Sequence, residues 1–131
     1  MTGPLNVSPV DSTLVAYLNG AVTGAGARRG VPADGEPQPA QFTRVVLAGG
    51  RGRHDTVLHD ATVAIEAWAK TYAAAASLMS SLDAAMHNAR YVTSAIRNVT
   101  AFAAPSELPV PDSPYFRLTA TYEVTVRASA L

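Results

Sequence analysis

The apolar residues of this chain follow two periods, and the period changes where glycines and prolines cluster. Over 8–20 (SPVDSTLVAYLNG), Val10, Leu14, Tyr17 and Leu18 recur at spacings of three and four, which marks the inner face of a helix. Ser8 is placed to cap it, Pro9 suits its first turn, Asp11 favours the positive end of its dipole, and Gly20 is expected to end it. Residues 19–41 then run through Gly20, Gly24, Gly26, Gly30, Pro32, Gly35, Pro37 and Pro39, a long loop with room for a short extended piece near 25–31. Loops of this length in a small domain go with function or with order gained on assembly.

Beyond residue 41 the period shortens to two. QFTRVVLAG (41–49) predicts one strand and HDATVAIEAWA (59–69) a second, with Ala61, Val63, Ile65 and Ala67 on one side and Thr62, Ala64, Glu66 and Trp68 on the other. The two are antiparallel neighbours if 49–55 is the tip of a hairpin. The helical period returns over 71–90, where Thr71 caps an alanine-rich start. Ala74 or Ala75, Leu78, Leu82, Ala85, Met86 and Ala89 form its buried stripe, and His87 and Arg90 suit its negative end. SAIRNVTAFAA (94–104) predicts a strand and PSELPVPDSP (105–114) a loop. YFRLTATYEVTVRA (115–128) predicts a last strand, with Phe116, Leu118, Ala120, Tyr122, Val124 and Val126 inward and Arg117, Thr119, Thr121, Glu123, Thr125 and Arg127 outward. Helix, strands, helix, strands is an α+β order: a mainly antiparallel sheet with two α-helices packed on one face, in a single domain of 131 residues.

Composition narrows the function classes. Apolar residues make up 48% and charged residues 15%, with a formal net charge of zero. That balance opposes disorder and leaves little field to steer the chain onto nucleic acid. Lys70 is the single lysine, so nearly every cation is an arginine, a bias that suits planar interface contacts and that a GC-rich genome also produces. The absence of cysteine excludes disulfides, thiolate nucleophiles and cysteine metal sites. The N-terminal residues lack the pattern of a signal peptide, and no apolar run reaches the ~18 residues of a membrane helix, so the expectation is a soluble protein made inside the cell.

The stretch VVLAGGRGRHDTVLHD (45–60) invites three chemical readings. A dinucleotide fingerprint needs a third glycine and a following helix, but position 55 is Asp and a strand follows; a phosphate-binding loop needs Gly-Lys-Ser/Thr, and no lysine is near. Paired His-Asp steps at 54–55 and 59–60 suggest a metal, but alternation sends His54 and His59 to opposite faces and His87 lies far away, so the site would be weak at most. There is no Gly-x-Ser-x-Gly elbow, Ser77, Ser80 and Ser81 have no paired base, and the carboxylates are scattered. What remains is a hairpin tip with Gly49, Gly50 and Gly52 at positive φ, carrying Arg51 and Arg53 into solvent or onto a partner. Trp68, the single tryptophan, either packs beneath the 71–90 helix or anchors a subunit interface.

Taken in order, these segments resemble the tail terminator (tail completion) proteins of long-tailed bacteriophages. DSTLVAYLNGAV is similar to the opening helix of that family, PQPAQFTRVVLAGGRG to its proline-rich lead into a strand ending in Gly-Gly-Arg, and DATVAIEAWAKTYAAAASLMSSLDAAM to its Trp-Ala strand and alanine-rich helix. LPVPDSPYFRLTATYEVTVRA is similar to its closing loop and arginine-bearing strand. The run of four alanines at 73–76 departs from the more charged helix usual there. The resemblance spans nearly the whole chain. It implies a virion protein forming a homo-hexameric ring on the completed tail tube, stopping tube growth and facing the head-tail connector protein, with no enzyme activity and no cofactor. It also implies no membrane and no sequence-specific nucleic acid among its partners. Under it, Arg51, Arg53, Arg28, Arg29 and Trp68 are the expected contacts with neighbouring subunits or the tube. A neck adaptor at the same joint, and a small α+β ligand-binding domain or enzyme, are the competing readings.

Overall fold

A computed structural model of the chain describes residues 5–6, 9–33, 35–54, 58–127 and 129–130. Its elements are β1 (Leu5–Asn6), α1 (Val10–Ala21), β2 (Ala27–Arg28), β3 (Gln41–Leu47), β4 (Gly52–His54), β5 (Leu58–Ala69), α2 (Tyr72–Val92), β6 (Ile96–Glu107), β7 (Phe116–Arg127) and β8 (Ser129–Ala130). Strands β2-β3-β5-β7-β6 lie side by side in that order, β4 extends the β3 side of β5, and β1 pairs separately with β8. Every pairing is antiparallel except β2 on β3. The fold is α+β, as the periodicity implies.

Both helices cover one face. Val10, Leu14 and Leu18 of α1 and Ala75, Leu78, Met79, Leu82, Met86 and Ala89 of α2 share a core with Val45, Val63, Ile65, Ala67, Leu118, Ala120, Tyr122 and Val124. The odd-numbered residues of β5 and the even-numbered ones of β7 point to the helices because directly paired strand residues share a side, as Ile65 does with Ala120. Thr71 caps α2 by accepting the Ala74 N–H at 3.2 Å. Tyr17 ties the two helices by donating to the Ala85 carbonyl at 2.7 Å.

Several boundaries differ from expectation for identifiable reasons. Helix α1 runs through Gly20 to Ala21, and the left-handed turn falls at Gly24, with φ 75°. Ser8, expected to cap it, lies outside the described residues. Strand β6 continues through Pro105, which an edge strand tolerates because one of its sides has no ladder to break. Phe116 belongs to β7 but stays 43% exposed, edge-to-face against Tyr72 at 6.3 Å between centroids.

The glycine-rich stretch is not the tip of the hairpin. Leu47 pairs with Val63 and Gly52 with Asp60, so five steps on one strand match three on the other, and pairing then continues to His54 opposite Leu58. The glycines form a kink inside a longer hairpin, whose linking residues 55–57 lie outside the described residues. Gly49, Gly50 and Gly52 do hold positive φ, at 99°, 115° and 80°. At Gly50 the backbone of β5 is so close that a Cβ would stand 2.7 Å from Ala61 Cα and Thr62 N, so only glycine fits.

Candidate functional site

The face of the sheet away from the helices carries an aromatic cluster and several charged side chains. It has three zones, built by register across β5 and β7, with β3 beside β5 at one end and β4 at the other.

At one end Phe42, Trp68 and Arg117 occupy one rung of the ladder. Phe42 and Trp68 stack at 5.2 Å, and Tyr115 meets both edge-on at 5.4 and 6.0 Å. The Arg117 guanidinium lies over the indole at 5.1 Å and donates to the carbonyls of Leu108 and Pro109. Tyr115 donates to the Pro39 carbonyl at 2.6 Å. The two proline-bearing loops, 29–40 and 108–115, are thereby fastened over the aromatic cluster. Trp68 is therefore not under α2: it sits on the opposite face, 7% exposed, covered by loops of its own chain. The space left between those loops is about 160 Å³, below the ~300 Å³ at which ligand pockets begin.

In the middle, Glu66 is buried, accepts the Trp68 indole N–H at 3.0 Å and faces Arg44 at 3.5 Å. Thr62, Ala64, Thr119 and Thr121 around it are half-buried, a smooth floor of small side chains.

At the far end, Asp60 is 4% exposed. Its carboxylate accepts from Arg51 at 2.8 Å and from the Thr125 hydroxyl at 2.6 Å. The kink at Gly50 brings Arg51 back over β5 to reach it, while most of the Arg51 side chain, 64%, stays exposed. Arg53 stands opposite His59 and is exposed. Arg51, Arg90 and Arg97 rim a shallow cleft of about 480 Å³ here, with Asp60 and Glu123 among its lining.

The other two arginines singled out from sequence lie apart from this face. Arg28 ends β2 and pairs with Glu36, and Arg29 pairs with Asp11 at the start of α1, both at 3.5 Å. Asn19 holds β2 in place, donating to the Ala27 carbonyl and accepting its N–H. Arg28 and Arg29 thus belong to one surface, Arg51 and Arg53 to another, and Trp68 to the supporting layer beneath the loops.

One constellation was not expected from the sequence. Asp83 of α2 accepts a short hydrogen bond from the buried Tyr122 hydroxyl and pairs with His87 at 3.4 Å. Burial, then the hydrogen bond and the charge of Asp83, raise the Tyr122 pKa well above its ordinary value. The phenol therefore stays a hydrogen-bond donor at neutral pH, and its chemistry here is to lock α2 onto β7. Asp83 and His87 sit four residues apart, a spacing visible in the sequence, whereas Tyr122 joins them only through the fold.

Among the described residues no three of His, Cys, Asp and Glu are grouped to hold a metal ion. Asp55, half of one of the His-Asp steps, lies outside the described residues, and Asp60 of the other is engaged by Arg51 and Thr125. Among them too, no helix is long and apolar enough to cross a membrane. Compared with models of known protein families and with curated proteins, the chain matches none.

Proposed function

We propose that this chain is a structural subunit that closes a ring over the end of a phage tail tube, stops tube growth, and presents the surface that the head connector meets. The observation that carries this reading is the order of elements along nearly the whole chain. Helix, strand leading into Gly-Gly-Arg, Trp-Ala strand, alanine-rich helix, proline-marked loop and arginine-bearing strand follow one another as α1, β3, β5, α2 and β7, with β6 before the loop.

The arginine surfaces supply the contacts. Arg51 is oriented by Asp60 but keeps most of its side chain in water, so its guanidinium is pre-aimed and still has donors to offer. Arg28 and Arg29 stand on the loop that is tied back to α1. The aromatic cluster does not touch partners; it fixes the loops that do.

Electron microscopy of particles made when the gene is inactivated in its source genome tests the reading. Overlong tails without heads are the expected result. Tails of normal length left beside filled heads would move the protein to the neck, and intact infectious particles would remove both assignments. In the same assay, Ala at both Arg51 and Arg53 is expected to impair tail assembly, and normal assembly would take those residues out of the interface.

A further inference from the structure

The two edges of the main sheet are unlike. On the β3 side, β2 covers part of the edge and is itself two residues long. On the other side β6 runs twelve residues and, among the described residues, pairs with β7 alone, and every residue from 100 to 107 is exposed. Between Arg97 and Glu107 this edge carries no charged residue, and at its centre Phe102 is 76% exposed. The ladder shifts register between Ala101 and Ala103, so Phe102 is the extra residue of a bulge, a device that re-aims a side chain. An aromatic ring so far into water on a sheet edge is the kind of patch that pairs with another strand.

The charges identify the occupant. Arg97 lies five residues before Phe102 and Glu107 five after it, and neither forms an ion pair within the chain among the described residues. A second β6 laid antiparallel with the two Phe102 rings opposed places Arg97 of each copy against Glu107 of the other. Parallel pairing would oppose Arg97 to Arg97 and Glu107 to Glu107, which repels. We infer that the β6 edge is a two-fold contact between two copies of this chain, with Phe102 on the axis and two Arg97–Glu107 pairs flanking it. The bulges and Pro105 interrupt a continuous ladder, so the side chains rather than an unbroken strand pairing set its strength. The contact is isologous, whereas a closed ring is built from heterologous ones, so it does not rest on the function proposed above.

The lack of cysteine makes the test direct. Phe102→Cys in the full chain introduces a single thiol on the axis, and mild oxidation is expected to give a covalent dimer. Leu47→Cys, 47% exposed on the opposite edge, serves as the control and is expected to cross-link at least tenfold more slowly. Adding Arg97→Glu to Phe102→Cys is expected to slow cross-linking several-fold, and adding Glu107→Arg to that pair to restore it. Equal rates for the Phe102→Cys and Leu47→Cys proteins would overturn the contact. So would indifference to the charge reversal. A mixture of the two variants in which the unlike chains join preferentially would also overturn it, since that is head-to-tail pairing.

Discussion

The two faces of this sheet are closed by different means. Towards the helices, Val63, Ile65, Ala67, Leu118, Ala120, Tyr122 and Val124 lie in one dry layer, and Tyr122 adds a hydrogen bond to Asp83 that fastens α2 onto β7. On the other face an apolar anchor, Phe42–Trp68–Tyr115, occupies one end and a buried carboxylate, Asp60, the other. Between them lie half-buried threonines and alanine. The chain thus spends its apolar residues on one face and leaves the other to loops, pairs and small side chains.

The largest losses are expected where either face is anchored. Trp68→Ala should cost about 3–5 kcal/mol and Ile65→Ala about 2–5 kcal/mol by chemical denaturation. The two differ in reach: the first should also release hydrogen-exchange protection in 29–40 and 108–115, and the second should not. Equal protection in both variants would mean that the aromatic cluster does not hold those loops. Next comes the kink. Gly50→Ala adds steric overlap to a strained φ and should cost roughly 2–4 kcal/mol. Gly49→Ala meets open space and should cost about 1–2 kcal/mol, from φ alone.

A smaller effect separates the faces by pH. Tyr122 and, by burial, Tyr17 have raised pKa values in the folded state. Groups raised on folding contribute fully below their unfolded value, about 10 for tyrosine, and lose that contribution as pH rises above it. Unfolding free energy should therefore fall from about pH 10 upward, by up to about 1.4 kcal/mol per pH unit from Tyr122 and by less from the more exposed Tyr17, read as falling thermal midpoints. Tyr122→Phe should flatten that fall; an unchanged slope would deny the buried phenol its role. The smallest change is on the threonine floor, where Thr121→Ala should stay within about 0.5 kcal/mol in the isolated protein. A larger loss there would show that this part of the face is anchored as well.

The faces themselves were legible from alternation, because period two in β5 and β7 assigns each residue a side before any partner is known. The helix stripes were legible for the same reason, apart from Met79, which replaced half-buried Ala85 in the stripe. What covered the second face was not. Trp68 meets Phe42 and Tyr115 from distant parts of the chain, and nothing local announces that two proline loops will converge on it. Strand β4 was hidden because Gly-Arg-His is too short to show a period, and Pro105 masked the end of β6. Among the candidate residues, Arg51 and Arg53 were found by composition, but the tie from Arg51 to Asp60 depends on a kink that only the register reveals.

The central claim is that the exposed surfaces of this chain end the growth of a tail tube. The most direct measurement adds the purified protein to tube subunits from the same genome as they polymerise, and reads tube lengths and ends by electron microscopy. The account predicts tubes that stop growing with a ring of density on one end, at a ratio of a few chains per tube. A length distribution unchanged at every ratio, with bare ends, would contradict it.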